Sequence, residues 1–278
     1  MKIALYRSGL GLLALAVLLG LYLLASRPAA RLPPRPAEPG VLRLATANVF
    51  FMNPRVASTS ARLAAVDADV LVVLEASAHN LRRRALTRAG WSVALDVHEG
   101  LKLGFGVTVF VRGSMTSEAA LVPSPTPAVC QPGVAAVRLD VDGRKLALLG
   151  AHFAPPACAA ISGSALDACA TWIRDGRLVR DVGPCRAGDP AIVLGDFNTL
   201  PYFGGWGALE RAGLVDAWSA ARWLPGPTWA LPLGVPSLAR IDGILVPDRW
   251  RVLGAWTQDV PGSDHRVVVA DVRLPDDG

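Results

Sequence analysis

The sequence predicts a four-layered α/β domain, in which two packed mixed β-sheets are flanked by helices, with a transmembrane helix before it. Three observations support this prediction. Short apolar runs alternate with helical patterns from Val41 onward. Two neighbouring strands are joined by Asp142-Gly143, a turn typical of antiparallel pairs, so a purely parallel sheet is not expected. An uncharged apolar stretch, 9–25, precedes all of these elements.

The first element is this apolar stretch. From Ser8 to Ser26 there are 19 residues without a charge; as a helix they would extend about 28 Å, close to the bilayer hydrocarbon thickness of about 30 Å. A cleaved signal peptide has a shorter apolar region of about 7–15 residues, although Pro28-Ala29-Ala30 leaves cleavage open. We therefore expect residues 1–26 to be a single-pass membrane anchor, with a cleaved signal segment and a secreted protein as the alternative.

A proline-rich linker follows the anchor. Residues 27–40 hold five prolines in 14 positions, and proline disfavours both helices and sheet interiors. We expect a semi-rigid spacer that holds the next domain, residues 41–278, away from the bilayer.

The elements of that domain follow from local signals. Val41 to Thr46 is predicted as a strand, and Ser58 or Thr59 can cap a helix that continues to about Val66. The run 70–74 is apolar throughout, which is typical of a strand covered on both faces. Further strands are predicted at 106–111, 134–141, 145–151, 191–195, 241–246 and 267–273, and further helices at 78–89, 165–181 and 205–212.

The cysteines favour an extracytoplasmic location for the domain. An even number, Cys130, Cys158, Cys169 and Cys185, lies downstream of the apolar stretch, as two disulfides would require. Three connectivities are possible, and buried thiols are the alternative. A zinc site is disfavoured because the sequence has no Cys-x-x-Cys.

The basic charge is concentrated outside the domain. The net charge is +5 and the pI about 9.4, but residues 1–40 contain five basic residues and one acidic residue, which leaves a net charge of +1 for residues 41–278. The basicity therefore points to anionic lipid headgroups next to the anchor and is not evidence for nucleic-acid binding.

Polar residues follow the apolar strands at the points where these end. They are Asn48, Glu75, His152, Asp196 and Asn198. In an extended backbone Asp196 and Asn198 point to one side, with Phe197 in the core.

Asp242 at a later strand, and Asp264 and His265 before the last strand, add two more acids and an imidazole. Carboxylates, amides and imidazoles in this number are typical of sites that bind hard cations and phosphate esters. Other chemistries are disfavoured, since Ser162-Gly163-Ser164 lacks the flanking glycines of a serine-hydrolase elbow.

These motifs, in this order, resemble the endonuclease/exonuclease/phosphatase superfamily with the deoxyribonuclease I-like fold. The residues that carry the resemblance are Asn48, LVVLE to Glu75, His152, GDFN to Asn198, RID to Asp242 and SDH to His265. The resemblance covers roughly 41–274 and, with the apolar segment, implies a bacterial membrane-anchored member.

The resemblance also implies roles for individual residues. Glu75 would be a metal ligand, with Asn48 and Asp264 beside the metal. The implied metal is Mg²⁺, with Mn²⁺ as a possible substitute, because Mg²⁺ is commonly held by one or two carboxylates together with substrate phosphate. The catalytic group would comprise Asp196, which orients or deprotonates water; Asn198, which positions water or phosphate; His265, which contacts the scissile phosphate and is held by Asp242; and His152, a second phosphate contact.

The expected function is a membrane-tethered, extracytoplasmic endonuclease that hydrolyses phosphodiesters. The alternatives are a phospholipase C or sphingomyelinase-like activity, or a phosphoinositide phosphatase, because loops choose the substrate in this superfamily. An inactive binding module is a third interpretation, disfavoured by the intact set of catalytic residue types. The expected partners are a phosphodiester substrate and the membrane, and no obligate protein partner is inferred.

Overall fold

Two six-stranded sheets form the centre of the computed structural model, which describes residues 2–97, 106–113, 115, 117–122, 134–153, 189–201, 205–224, 226–230, 237 and 239–275. The strands are β1 (Val41–Asn48), β2 (Val70–Leu74), β3 (Trp91–Val97), β4 (Val107–Arg112), β5 (Ser117–Val122), β6 (Val134–Val141), β7 (Arg144–His152), β8 (Ala191–Asp196), β9 (Leu214–Asp216), β10 (Asp242–Pro247), β11 (Arg251–Asp259) and β12 (Arg266–Arg273). The helices are α1 (Lys2–Ala25), α2 (Val56–Ala64), α3 (Arg83–Arg88), α4 (Gly205–Arg211) and α5 (Ala217–Ala221).

The two sheets have similar organisation. Sheet A has the strand order β11-β12-β1-β2-β4-β3, and sheet B has β5-β6-β7-β8-β10-β9. Each sheet contains a parallel pair near its centre, β1 with β2 and β7 with β8, while the other neighbours are antiparallel. The carboxyl ends of parallel strands meet at one edge, so polar residues at these ends are brought together.

The core lies in three layers of apolar contact. Leu44 and Val72 of sheet A pack with Leu148 and Leu194 of sheet B between the two sheets. Leu63 of α2 belongs to the cluster on the outer face of sheet A. Trp206 and Leu209 of α4 belong to the cluster on the outer face of sheet B. Full burial of one such leucine stabilises a fold by roughly 1.5–3 kcal/mol. The predicted pair of packed mixed sheets is therefore confirmed.

Four strands were not predicted from the sequence, namely β3, β5, β9 and β11. The register of β3 shifts between Val93 and Leu95, and that of β11 between Val252 and Gly254. Such bulges interrupt the alternation on which sequence-based strand prediction depends. The helix predicted over 78–89 begins only at Arg83. The helix predicted over 165–181 and all four cysteines lie outside the described residues.

Parts of the proline-rich linker contact the domain that follows it. The Ala29 amide donates to the Thr257 carbonyl at 2.7 Å. The Arg35 guanidinium pairs with Asp67 at 2.8 Å and with Asp69 at 2.6 Å. A backbone hydrogen bond and ion pairs therefore hold parts of the linker on the surface of the domain.

The N-terminal segment is helical, as predicted. The larger apolar side chains described on α1, from Leu12 to Leu24, are mostly half or more exposed. A membrane span needs about 20 predominantly apolar residues, and no helix in the described part of the chain is long and apolar enough to cross a membrane. The predicted transmembrane helix is therefore not supported by the structure.

Candidate active site

The predicted site residues meet at one rim of the sandwich. Asn48 is the last residue of β1, and Glu75 directly follows β2, whose Leu74 is in register with Asn48. His152 ends β7 in register with Asp196, which ends β8. The two parallel pairs thus deliver an amide, an imidazole and two carboxylates to the same edge.

The Asn48 amide joins the two sheets. Its Nδ2 donates to Glu75 Oε1 at 2.9 Å and to Asp196 Oδ2 at 3.1 Å. Its Oδ1 accepts from the Phe50 amide at 3.0 Å. The nitrogen of Asn48 therefore faces the acids and its oxygen faces the backbone, so Asn48 positions two carboxylates and offers no oxygen towards them.

A histidine–carboxylate pair lies beside this bridge. His265 Nδ1 is 2.9 Å from Asp242 Oδ2, which is the contact implied by the sequence resemblance. His265 Nε2 is 3.8 Å from Asp196 Oδ2. Asp242 is opposite Asp196 in the β8–β10 ladder and is fully buried. Pairing through Nδ1 directs Nε2 into the site.

The second histidine lies between the two bridged acids. His152 Nε2 is 3.8 Å from both Glu75 Oε1 and Asp196 Oδ2, and the side chain is almost fully buried. A phosphate oxygen could approach this nitrogen from the rim.

The Asp196-Phe197-Asn198 segment leaves the strand in a tight turn. Asn198 has a φ of 49°, in the left-handed region, so the extended geometry predicted for both polar residues ends at Asp196. The backbone amide of Asn198 donates to Asp196 Oδ1 at 2.8 Å, and the side-chain Nδ2 of Asn198 donates to the Phe153 carbonyl at 2.7 Å. Phe197 is fully buried against Trp206, as predicted. The turn keeps Asn198 next to the Asp196 carboxylate.

Asp264 lies at the edge of the site. Its Oδ2 accepts from Trp229 Nε1 at 3.2 Å. Its Oδ1 is buried and has no hydrogen-bond partner among the described residues, and the same holds for Asp242 Oδ1. Two acidic oxygens are therefore left without a donor close to the carboxylate bridge.

Burial and charge raise the pKa values of two acids at the site. Burial, reinforced by the charge of Asp242 and opposed by His265, raises the pKa of Asp196 from 3.8 to about 7. Burial also raises the pKa of Glu75, against the hydrogen bond from Asn48. Protonation or a bound cation would relieve the concentration of negative charge.

The pKa values of the two histidines are shifted in opposite directions. Burial works to lower the pKa of His265, but the carboxylates of Asp242 and Asp196 outweigh it and raise the value from 6.5 to about 10. Burial, with a smaller contribution from the charge of His265, lowers the pKa of His152 to about 4. At neutral pH the site holds one imidazolium and one neutral imidazole.

The donor set fits a divalent cation that prefers oxygen ligands. Asp196 and Asp242 bring two carboxylates close to His265, with one atom of each of the three residues within 4.8 Å of the others. The protonated imidazole is a hydrogen-bond donor and not a ligand. The unpartnered oxygens of Asp242 and Asp264 and the raised pKa of Glu75 add further demand for positive charge. Because carboxylate oxygens outnumber nitrogens, the set fits a divalent cation that binds oxygen ligands.

Supporting residues were not identified as such from the sequence. Thr228 Oγ1 accepts from the amides of Ile241 and Asp242, both at 3.1 Å, and so fixes the start of β10. Ser263 Oγ donates to the Asn48 carbonyl at 2.7 Å and accepts from the His265 amide at 3.0 Å. Ser263 is the first residue of the SDH motif and Thr228 precedes the RID motif. Their bonds to Asn48, Ile241 and Asp242 join distant parts of the chain, so the sequence did not indicate these roles.

The fold and this polar rim together define the class of phosphoester hydrolases. The model of the Endonuclease/Exonuclease/phosphatase family matches residues 45–265, most of the chain, and the protein belongs to this family. No curated protein is significantly similar to it in sequence.

Solved structures share the fold at low sequence identity. A family protein from Bacteroides thetaiotaomicron is 18% identical, with a TM-score of 0.64 over 86% of this chain and 99% of the other. The 3′ phosphatase NExo from Neisseria, bound to a product DNA hairpin, is 19% identical with a TM-score of 0.62 over 84% and 100%. The human Nocturnin catalytic domain with a bound sulfate is 15% identical with a TM-score of 0.62 over 85% and 95%.

Proposed function

We propose that the protein is a metal-dependent phosphodiester hydrolase that cleaves nucleic acid as an endonuclease. The observation that carries this proposal is the Asn48 bridge between Glu75 and Asp196, with the His265 imidazole 3.8 Å from the same Asp196 oxygen. It holds a candidate base, a candidate metal ligand and a cationic donor within reach of one phosphate.

The metal would be Mg²⁺, with Mn²⁺ as a substitute, held by Glu75 with Asp264 nearby. When bound, such a cation offsets the negative charge of the phosphate and of the developing transition state. The raised pKa of Glu75 and the unpartnered Asp264 Oδ1 support this assignment.

Asp196 is the proposed general base. A base works best when its pKa lies near the working pH, and the pKa of Asp196 is raised to about 7. The backbone amide of Asn198 donates to Oδ1 of this carboxylate at 2.8 Å, and Asn48 Nδ2 donates to Oδ2 at 3.1 Å. The carboxylate is thereby oriented to accept a proton from the attacking water.

His265 is the proposed cationic contact of the scissile phosphate. Its raised pKa of about 10 keeps it protonated at neutral pH, and Nε2 carries the proton that is not directed at Asp242. A preorganised donor in a buried site stabilises transition-state charge by about 3–4 kcal/mol. His152, neutral at the same pH, supplies a second donor or acceptor.

Nucleic acid is the proposed substrate class because the described fold is shared with a phosphatase bound to product DNA. The test is cleavage of single-stranded and duplex DNA and of RNA by the full chain with Mg²⁺ or Mn²⁺, with EDTA as control. We expect metal-dependent cleavage within the strand. Asp196→Asn should reduce kcat at least about 100-fold, whereas Asp248→Asn, an exposed carboxylate in the turn after β10, should not. Equal activity with EDTA would contradict the metal assignment.

Hydrolysis of lipid headgroups is the second candidate. The exposed apolar side chains of α1 favour it, because they would bring the site close to a lipid surface. Sphingomyelin and phosphoinositide vesicles in the same assay distinguish the candidates, since turnover of vesicles without turnover of DNA or RNA would replace the endonuclease proposal.

We also propose that α1 attaches the protein to the cell membrane, with the domain on the extracytoplasmic side. Exposed leucines on α1 gain free energy on entering a lipid phase at roughly 25 cal/mol per Å² of buried apolar surface. The full chain should remain with membranes after a salt wash, and Leu15→Arg with Leu18→Arg should release it. Protection of the domain from protease added outside spheroplasts would contradict the orientation.

A further inference from the structure

The turn after β1 exposes large apolar side chains beside the candidate active site. Phe51 is 38% exposed and Met52 is 63% exposed. Both follow Asn48 by only a few residues, and burial of these side chains elsewhere would have stabilised the fold. Phe51 packs edge-to-face on Phe50, with ring centroids 5.3 Å apart, but much of its ring and most of Met52 remain exposed beside the polar site.

The backbone of this turn is held firmly to the site. The Phe51 amide donates to Glu75 Oε2 at 2.7 Å, so the turn carries one of the contacts that orient the candidate metal ligand. The Phe50 carbonyl accepts from the Asn53 amide at 2.9 Å and from Asn80 Nδ2 at 3.1 Å. Phe50 itself has a φ of 61°, a strained value for a residue with a side chain. The exposure of Phe51 and Met52 is consequently built into the turn and does not arise from a loose loop.

A third exposed apolar side chain lies after the other parallel pair. Leu200 is 41% exposed and follows Asn198 by two residues, at the carboxyl end of β8 in sheet B. Phe51 and Met52 follow β1 in sheet A. Apolar groups therefore follow the site residues contributed by each sheet, which matches a substrate with apolar surface next to its phosphate.

We propose that Phe51 and Met52 form a platform that contacts the nucleobase beside the scissile phosphate. This inference rests on the proposed endonuclease function. A sugar–phosphate backbone offers the platform little apolar surface, whereas every base has a flat apolar face that stacks on aromatic rings. Base faces are covered within a duplex, so the platform selects single-stranded or frayed nucleic acid.

The test uses single-stranded oligonucleotides in which one linkage alone is hydrolysable, with either a normal base or an abasic residue next to it. Phe51→Ala keeps the backbone amide that binds Glu75 and removes the partly exposed ring together with its contact with Phe50. We expect its kcat/KM on the base-bearing oligonucleotide to fall about 10- to 100-fold, mainly through KM. On the abasic oligonucleotide, Phe51→Ala and the parent should be nearly equal. Phe51→Trp should restore the preference for a base.

A matched control is Val93→Ala on β3, which also truncates an exposed apolar side chain, 42% exposed; it should leave both rates unchanged. An equal loss on base-bearing and abasic oligonucleotides would overturn the platform and indicate a positioning role through Glu75. No loss, or a loss restricted to phospholipid vesicles, would overturn it as well. If the parent protein cleaves neither oligonucleotide with Mg²⁺ or Mn²⁺, it is the endonuclease function that fails.

Discussion

Asp242 determines both the orientation and the charge of His265. The carboxylate is fully buried, its Oδ2 is 2.9 Å from Nδ1, and the backbone on either side of Ile241 is fixed by Thr228 Oγ1. Because the same carboxylate raises the pKa of His265, geometry and protonation are linked in one contact.

Asp242→Asn should separate these effects from steric ones. The amide has the same shape but no charge, so the pKa of His265 falls from about 10 towards its ordinary value of 6.5. We expect kcat at pH 7 to fall about 100-fold or more. The activity of the variant should fall above about pH 6.5, whereas that of the parent falls near pH 10. An unchanged alkaline limb of the pH–rate profile would contradict the assigned pairing.

His152 makes the metal-free protein sensitive to acid. Its pKa is lowered from 6.5 to about 4 on folding, so the unfolded chain binds a proton more readily and stability is lost as pH falls from 6.5 to 4. Through His152, the free energy of unfolding of the parent should fall by at most about 3 kcal/mol over this pH window. His152→Gln should remove this fall. Chemical denaturation in EDTA at several pH values measures it. Parallel pH profiles for the variant and the parent would contradict the shift.

Several site residues could be identified from the sequence because they stand where an apolar strand ends. Glu75 after LVVL and Asp196 after AIVLG are examples. The structural role of Thr228 could not be identified, because its partners at 241 and 242 are brought to it only by folding. The orientation of the Asn48 amide, with nitrogen towards the acids, likewise depends on the Phe50 amide and not on residue type.

At the scale of elements, a buried ion pair joins β1 and β12, which are the first and last strands of sheet A in sequence order and neighbours in the sheet. Arg43 of β1 and Asp271 of β12 are both about 1% exposed, and the guanidinium donates to Asp271 Oδ1 at 2.5 Å and to Oδ2 at 2.7 Å. Asp67 adds a second, more exposed carboxylate. The pair therefore specifies the β1–β12 contact as well as satisfying a buried charge.

Asp271→Ala should destabilise the protein strongly, because it leaves the Arg43 charge buried with less compensation. We expect a loss of about 3 kcal/mol or more in the free energy of unfolding. Arg43→Met combined with Asp271→Leu should recover most of it. Urea denaturation measures both, with the exposed Asp259→Ala as control; a double variant as unstable as the single one would contradict this explanation.

Elements at the sheet edges were harder to predict than those at the centre. Central strands such as β2 are buried on both faces and form continuous apolar runs. The edge strands β3 and β11 carry exposed residues and bulges that interrupt the pattern. The docking of the linker was also unpredictable, since it depends on partners such as Asp67 and Thr257 far along the chain.

For the molecule as a whole, the site exists only where the two sheets meet. Glu75 comes from sheet A and Asp196 from sheet B, and one amide holds both. The sheet order itself could not be derived from the sequence, because β1 pairs with β12 across more than 200 residues. The packed architecture was nevertheless predictable from the alternation of strands and helices together with the hairpin at Asp142-Gly143.

Mg²⁺ should stabilise the whole fold by binding between the sheets. The raised pKa values of Asp196 and Glu75 indicate carboxylates whose charge is incompletely compensated. A ligand at 100 times its Kd adds about 2.7 kcal/mol to the free energy of unfolding. Thermal denaturation should therefore show a rise in Tm with Mg²⁺ that Glu75→Gln reduces and Asp248→Asn preserves. Equal rises in all three proteins would contradict this metal site.

The pairing of the first and last strands of sheet A also has a consequence during protein synthesis. β1 lies between β2 and β12, and His265 immediately precedes β12. A ribosome makes β12 after the other strands of both sheets, so a nascent chain that stops before residue 265 has neither the imidazolium nor the strand that closes the centre of the sheet. The proposed hydrolytic activity would then be confined to chains that include β12, and shorter nascent chains could not damage the phosphodiesters of the cell that makes them.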